Sequence, residues 1–420
     1  MNYEKVVDEC KKLETLTIFS TLDKSSELHE QIVKKGGVIF DILNPIGVTG
    51  ENLQQFDKII DGIWLNNDKS VYYLSRNTIK KYCIDVMRQI HHTDENDTKN
   101  HIELKTRWEK LLKKELTDYD VVFPLYGVTI DKITPIGLFT AYNANDYKNF
   151  VKSKGITEEI LRETLFKEGA NYLMLQIQAK DFSRAIELAR PYFELFEYIA
   201  KFWLNNSLNF DIGIFEYKKW KIAKGLAFSN ENVSAAFNET GSYKDVNILT
   251  LTNTPIMSRI WDIMQKHIQG KATQLELNLI NAIRWVGMAN NDDSNVTKHV
   301  QYVFALEALL THRKKNELIT PGIAHQLAES AAFIIGETAN TKITTKKDLR
   351  KKVFHEVKLV YDIRSKIAHG NDSTVNAHEI IRARKIIYSL ILAILQNENI
   401  LKFQSMDEFD KWISDLRFSS

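Results

Sequence analysis

The sequence is poor in cysteine and has no long apolar run. Cys10 and Cys83 are the only cysteines among 420 residues, which excludes a disulfide framework and any cysteine-based metal motif. The longest apolar run, IIYSLILAIL at 386–395, is too short to cross a bilayer. The N-terminal residues are charged and lack the apolar core of a secretory signal. These absences predict a soluble protein of the reducing cytoplasm.

An excess of charge of one sign is also lacking. The chain has 56 Lys and Arg against 54 Asp and Glu, a formal net charge of +2. It is therefore not a polycation that coats nucleic acid, and any nucleic-acid binding must be local.

Common catalytic motifs are missing as well. The segment KKGGVIF (34–40) lacks the spacing and lysine of a phosphate-binding loop, so a P-loop nucleotide triphosphatase is excluded. His91, His92 and His101 lie near one another but do not form the H-E-x-x-H motif of zinc proteases. No nucleophile elbow is found. We expect neither a metal ion nor a cofactor.

The spacing of apolar residues along the sequence divides the chain into regions. Residues 1–117 read as mostly helical, because stretches such as 77–92 have apolar residues at helical spacing. Residues 118–255 mix strand-like and helical runs and are predicted to form an α+β domain. Residues 270–400 are predicted to form a helical bundle, and 401–420 a C-terminal tail. The predicted fold class is α+β multidomain, mainly α, with a mixed α/β region preceding the bundle.

Strands are predicted in the middle of the chain. DYDVVFPLYGVTI (118–130) and PIGLFTAYN (135–143) are rich in β-branched and aromatic residues and flank the short link DKIT, which predicts a hairpin. NYLMLQIQAK (171–180) is predicted as a third strand. A long apolar helix follows at 181–204, with a kink or break expected at Pro191.

The C-terminal region has helical periodicity and short connections, which are typical of a bundle. Thr345 and Asp348 have the spacing of a capping box at the start of the fourth helix. The predicted helices span 274–289, 299–312, 321–335, 346–368 and 378–396.

The segment YDIRSKIAHG (361–370) closes the fourth helix with an arginine five residues before a histidine. On a regular helix Arg364 and His369 would point about 140° apart. Gly370 follows directly, and glycine commonly ends a helix in the left-handed conformation. We therefore expect His369 to lie in a distorted last turn, from which its ring can reach the Arg364 side.

This pair suits metal-independent cleavage of RNA. Histidine titrates near neutral pH and can take the proton of the 2′-hydroxyl. Arginine can bind the phosphate with two parallel hydrogen bonds while negative charge builds there. An Arg and a His near a helix C-terminus are also favoured by the helix dipole alone, so the spacing leaves a purely structural interpretation open.

Residues from about 272 to 397 resemble the HEPN superfamily, in particular its Apea-like branch. The resemblance is carried by YVFALEALL (302–310) on the second helix and by YDIRSKIAHG (361–370), which matches the Arg-x4-His pattern of that family. It covers under a third of the chain.

The resemblance implies a metal-independent endoribonuclease that leaves 2′,3′-cyclic phosphate and 5′-hydroxyl ends. Arg364 would stabilise the phosphate and His369 would act in proton transfer, in a cleft made when two HEPN domains pair as a homodimer. RNA in single strands or loops, such as a tRNA loop, is the expected substrate. Bacterial antiphage defence is the expected setting, with a phage-derived trigger acting on the N-terminal region.

Supporting residues follow from the same resemblance. Ser365 stands directly after the arginine, where many active members have Asn, Asp or His, and it can still hydrogen-bond a phosphate. Glu307 matches a recurrent family glutamate and is expected either to hold Arg364 or to form a plain buried ion pair. Asp362 lies just before the motif, and Asn371 is expected either to touch RNA or to cap the helix.

A local excess of basic residues accompanies the motif. Between 342 and 366 there are nine Lys and Arg against three Asp and Glu, nine minus three giving a charge of +6. Such a stripe can steer phosphates toward the motif, and it is also typical of a solvated helix face. The candidate RNA-binding residues are Lys347, Arg350, Lys351, Lys358 and Lys366.

Two other functions stay open at this point. The first is a non-catalytic HEPN module that binds or dimerises and so senses or regulates a partner, which Ser365 and the near-neutral charge favour. The second is a structural protein in which the bundle is only a dimer interface.

Overall fold

The computed structural model describes the larger part of the chain, and its mainly helical α+β character confirms the predicted fold class. Among the described helices, none combines the length and apolar character needed to cross a membrane. The described residues are 2–19, 25–41, 46–65, 69–92, 98–155, 171–204, 210–215, 224–228, 233–237, 244–311, 322–338, 345–370 and 374–418.

The chain divides into two units. The first comprises Met1–Val121 and Gln176–Pro191, and the second comprises Val122–Leu175 and Tyr192–Ser420.

Helices dominate the first unit, together with short strands that the sequence did not reveal. The elements are α1 (Tyr3–Glu14), β1 (Ile18–Phe19), α2 (Ser25–Lys34), β2 (Val38–Asp41), β3 (Ile46–Val48), α3 (Gly50–Trp64), α4 (Lys69–Tyr72), α5 (Arg76–His92) and α6 (Thr98–Lys113). The strands form an antiparallel sheet in the order β1-β3-β2. Buried side chains of α1, α3, α5 and α6 form the hydrophobic core, which includes both cysteines.

The region predicted as α+β contains several small sheets. Its elements are β4 (Thr117–Leu125), β5 (Val128–Thr129), β6 (Thr134–Ile136), β7 (Phe139–Tyr142), α7 (Ala144–Ser153), β8 (Asn171–Ala179), α8 (Phe182–Leu204), β9 (Lys224–Phe228), β10 (Val233–Phe237) and β11 (Val246–Asn247). The largest sheet has the order β4-β8-β7-β6. Strand β8 and helix α8 confirm the predicted strand and long helix, and α8 continues through Pro191 without the expected break.

The predicted hairpin is wrong in its pairing. Strand β4 lies beside β8, and the hairpin is made by β6 and β7, with Ile136 opposite Phe139. Gly137 in the turn has a φ of 58°. A left-handed first residue in a two-residue turn matches the twist of the flanking strands, so the turn forms after DKIT rather than within it.

The C-terminal region is helical, and each predicted helix is present with small shifts of its ends. The helices are α9 (Pro255–Ile268), α10 (Gln274–Asn291), α11 (Asn295–Leu310), α12 (Ile323–Thr338), α13 (Lys346–Ala368), α14 (Ala377–Gln396), α15 (Glu398–Leu401) and α16 (Met406–Phe418). Thr345 caps α13 as predicted, because its hydroxyl accepts from the Asp348 N–H at 3.1 Å. The segment 401–420 is more than a tail, since α16 buries Phe409 and Ile413.

A buried ion pair within α8 is hydrogen-bonded to the C-terminal helices. Lys201 Nζ lies 2.5 Å from Glu197 Oε1, and both side chains are 3% exposed. Lys201 also donates to Asn291 Oδ1 of α10 at 2.9 Å. The second oxygen of Glu197 accepts from the backbone N–H groups of Ile214 and Phe215. These additional hydrogen bonds offset the desolvation of the two charges.

Neutral polar side chains extend this buried network. Asn290 donates to the Lys201 carbonyl at 2.9 Å and to the Tyr388 hydroxyl at 2.8 Å. Tyr302 donates to Asn290 Oδ1 at 2.8 Å, and Tyr388 donates to the Phe202 carbonyl at 2.7 Å. Burial raises the pKa of Tyr302 to about 12, so its hydroxyl remains a donor. The network therefore links α8, α10, α11 and α14.

Helices α8 and α10 come into close contact at Gly287. A Cβ atom at this position would lie 2.3 Å from the Tyr198 carbonyl oxygen and 2.7 Å from the Tyr198 Cα. These are backbone atoms, which cannot move aside as a flexible side chain can. Glycine is therefore required for the two helices to approach.

His299 of α11 lies in the bundle core with no exposed surface. Its Nε2 lies 2.9 Å from the Val360 carbonyl of α13, to which the ring donates in the neutral form. Burial lowers the pKa of His299. Burial thus favours the neutral ring, which ties α11 to α13 through this hydrogen bond.

We predict that Gly287→Ala destabilises the protein by about 1–3 kcal/mol, because the added methyl group forces the α8 and α10 backbones apart. The measurement is calorimetric unfolding of the full chain. Gly62→Ala is the matched control: Gly62 lies inside α3, and a Cβ atom there would meet nothing within 4 Å. The control should be neutral or more stable by up to about 1 kcal/mol. Equal stability of Gly287→Ala and wild type would contradict the close packing.

We predict that His299 makes stability depend on pH. The pKa of His299 is lowered on folding, so below a pH of about 6.5 the unfolded chain binds a proton that the folded chain does not. Stability should therefore fall with decreasing pH in this range, by at most about 1.4 kcal/mol per pH unit from this residue. His299→Gln, which can still donate to Val360, should show a flatter profile in thermal unfolding between pH 8 and 5. Identical slopes for the two proteins would disprove this role.

Candidate functional site

The predicted motif lies at the C-terminal end of α13. Val353, Val357 and Val360 are buried and fix which side of α13 faces the bundle. The helix is regular through Ala368, and His369 is its C-cap. Gly370 has a φ of 71°, which confirms that it ends the helix in the left-handed conformation.

Arg364 faces α11. Its Nη2 lies 3.6 Å from Glu307 Oε1, and the two side chains are 29% and 24% exposed. The guanidinium carbon lies 5.9 Å from the centre of the Phe304 ring and 5.7 Å from that of Tyr361. The expected ion pair with Glu307 is thus present, and two aromatic rings orient the guanidinium group.

Tyr361 belongs to the same cluster. Its pKa is raised, first by burial and then by the negative charge of Glu307, with which its hydroxyl also forms a hydrogen bond. The phenol is therefore a neutral donor that shares Glu307 with Arg364. This arrangement leaves the charge of Arg364 only partly exposed.

His369 lies on a different side of α13. It is exposed and lines an open groove of about 450 Å³ between α13 and α14. Arg364 is not among the described residues that line this groove. The reason is the regular helix, in which residues five apart point about 140° from one another. The last turn does not bring the His369 ring round to the Arg364 side, so one chain does not place both side chains in one groove.

Both polar and apolar side chains line the groove. Arg382 of α14 is paired with Glu356, with Nε 2.7 Å from the carboxylate oxygen. Glu379 completes the N-terminal cap of α14, because its Oε2 accepts from the Asn376 N–H at 2.8 Å. The lining residues are Leu359, Asp362, Ile363, Ser365, Lys366, His369, Glu379 and Arg382.

Only some of the predicted supporting residues line the groove. Ser365 lines the groove one helical turn before His369, and its carbonyl accepts from the His369 N–H at 3.1 Å. Asp362 and Lys366 also line the groove and are exposed. Glu307 lies with Arg364 instead. Asn371 lies outside the described residues.

The candidate RNA-binding residues fall into two groups. The lysines at 347, 351, 358 and 366 are exposed along α13. Arg350 is half-buried, lies 3.3 Å from a Glu337 oxygen and stacks over the Phe333 ring at 4.7 Å. Its guanidinium group is therefore engaged within the bundle, whereas the lysines are accessible to a phosphate.

The sequence did not reveal that α14 contributes Glu379 and Arg382 to the groove. Asn376 and Glu379 have capping-box spacing, so Glu379 could have been placed at the start of α14. No sequence signal places Arg382 opposite Glu356.

Comparison with known proteins adds no assignment for this site: no family model matches the chain, and neither a curated protein nor a solved structure matches it.

Proposed function

We propose that this protein is a metal-independent endoribonuclease of the HEPN type that cuts single-stranded or looped RNA. The observation that supports this most is the arrangement at the end of α13. His369 is exposed in a groove large enough for a small ligand, and Arg364 lies one and a half turns earlier with a positioned guanidinium group. Accessible lysines along the same helix can attract the phosphate backbone.

The proposed reaction uses the 2′-hydroxyl of the RNA as the nucleophile. His369 takes the proton of this hydroxyl as its oxygen bonds to phosphorus. The bond from phosphorus to the 5′-oxygen breaks, and that oxygen takes a proton from solvent water. Arg364 leaves Glu307 and binds the phosphate while negative charge builds on its oxygens. The products are a 2′,3′-cyclic phosphate and a 5′-hydroxyl.

The different directions of Arg364 and His369 favour a site built from two copies of the chain. In a symmetric dimer the same face of each copy meets the other, so Arg364 of one copy can complete the groove of its partner. The proposed active form is therefore a homodimer through the C-terminal helices.

Residues 1–255 are proposed as the sensor or regulator of the nuclease. The proposed setting is the bacterial cytoplasm, in antiphage defence, with a phage-derived trigger that acts on this region. A tRNA loop is a suitable substrate because the 2′-hydroxyl can align with its phosphate more easily in a loop than in a duplex.

A second function has its own support. Arg364 is already paired with Glu307 and shielded by two rings, as expected of a residue that stabilises the bundle. In this alternative the protein is a non-catalytic HEPN module that dimerises and senses or regulates a partner.

We predict that the purified full-length protein cuts an RNA mixture containing tRNA in the presence of EDTA, with phage-infected lysate supplied as a trigger. His369→Ala should lower the rate by about 10²–10⁴-fold, as expected for loss of a general base. Arg364→Ala should lower it by about 10²–10³-fold through lost charge stabilisation. The readout is the rate of cutting and the chemical nature of the new ends.

The matched control is His355→Ala, which removes an exposed histidine from the same helix outside the groove. It should cut like the wild type, and the two histidine variants should unfold at the wild-type temperature. Wild-type protein that leaves RNA intact even with the trigger would support the binding module. Cutting that needs a metal ion would refute the proposed chemistry.

The two-copy site predicts complementation between inactive variants. A mixed dimer of Arg364→Ala and His369→Ala chains, purified through two different tags, keeps one cleft with both wild-type side chains. It should recover up to about half of the wild-type rate, because one of the two equivalent clefts is intact. Each variant alone should stay inactive. A mixed dimer without activity would place both residues of a working site in the same chain.

A further inference from the structure

The groove between α13 and α14 has the properties of a nucleotide site. Its volume of about 450 Å³ lies in the range of small-molecule sites, roughly 300–1,000 Å³. Leu359 and Ile363 are apolar lining residues against which a planar base can pack. Lys366 and His369 supply groups that can meet a phosphate. The groove therefore offers separate places for a base and for a phosphate.

Some charged side chains of the groove already have partners within the protein. Arg382 is paired with Glu356, and one oxygen of Glu379 accepts from Asn376. Asp362 forms no ion pair and no side-chain hydrogen bond with any residue that the structure describes. Its carboxylate is therefore ready to accept hydrogen bonds from a ligand.

The spacing along α13 places this carboxylate on the same side of the helix as the proposed reacting group. Asp362, Lys366 and His369 follow one another at i, i+4 and i+7, so they lie on one face of the helix. The rise of the helix separates Asp362 from His369 by about 10 Å along the axis. A nucleotide whose base reaches Asp362 can thus direct its phosphate toward Lys366 and His369.

We propose that this groove binds the base next to the scissile phosphate and that Asp362 selects guanine. This inference rests on the proposed ribonuclease function. An ionised carboxylate is an acceptor only. Guanine presents two parallel donors on its Watson–Crick edge, N1–H and N2–H, which match the two oxygens of a carboxylate. Adenine and cytosine each place a ring acceptor beside their amino group, and uracil has a single N–H between two carbonyl oxygens.

The first experiment maps cleavage of a randomised single-stranded RNA by the full-length protein with its trigger, sequencing the 5′-hydroxyl ends. Wild type should prefer guanine at one position beside the cut by about 10-fold or more. Asp362→Asn, which replaces one acceptor oxygen by a donor, should lose this preference while still cutting. The control is Asp415→Asn, an exposed acid on α16 with the same change of charge, which should keep the wild-type preference.

A second measurement uses inosine, which lacks the N2 amino group of guanine. Replacing the preferred guanosine by inosine should raise the KM of wild type several-fold and leave the KM of Asp362→Asn unchanged. A purely structural role of Asp362 would not distinguish guanosine from inosine. No base preference in wild type, or an unchanged preference in Asp362→Asn, would overturn the inference while leaving the nuclease proposal intact.

Binding of GMP and AMP to the full-length protein separates the two proposals. GMP should bind more tightly than AMP, and Asp362→Asn should remove the difference. This result in a protein that does not cut RNA would support the guanine site and refute the nuclease. Equal binding of GMP and AMP by wild type would overturn the guanine site even if RNA is cut.

Discussion

The buried ion pair between Glu197 and Lys201 is the interaction on which the C-terminal part of the protein depends. Two charges at 3% exposure are costly to bury, and they persist because each is hydrogen-bonded on more than one side. Removing one partner from such a pair leaves an uncompensated charge, which costs about 3–5 kcal/mol. Asn290, Tyr302 and Tyr388 continue the network. Their hydrogen bonds fix the positions of α8, α10, α11 and α14 relative to one another.

These fixed helix positions determine where the candidate site forms. Helix α11 takes part in the network through Tyr302 and, one to two turns away, carries both His299 and Glu307. His299 binds the Val360 carbonyl of α13, and Glu307 binds Arg364 one turn further along. These two contacts fix where α13 lies against α11. Arg364 is oriented by the bundle rather than by its neighbours in sequence alone.

The Glu307–Arg364 pair has consequences for both proposed functions. A phosphate that binds the guanidinium group competes with the Glu307 carboxylate for it, so the ion pair opposes phosphate binding. In a nuclease this competition limits binding to a correctly placed phosphate. In a structural module the same pair simply stabilises the contact of α11 with α13. His369 is free of this competition because it lies in the groove on another side of the helix.

Local features of the sequence determined much of the fold and the location of the candidate site. Apolar periodicity placed the C-terminal helices, Thr345 marked the start of α13, and Gly370 marked its end, because caps and helix faces depend on residues close in sequence. The tertiary structure decided the rest. It paired β4 with β8 rather than with the next strand, brought Glu379 and Arg382 of α14 beside His369, and turned Arg364 toward α11. These outcomes depend on which distant elements pack together, and spacing within one helix carries no information about its neighbours.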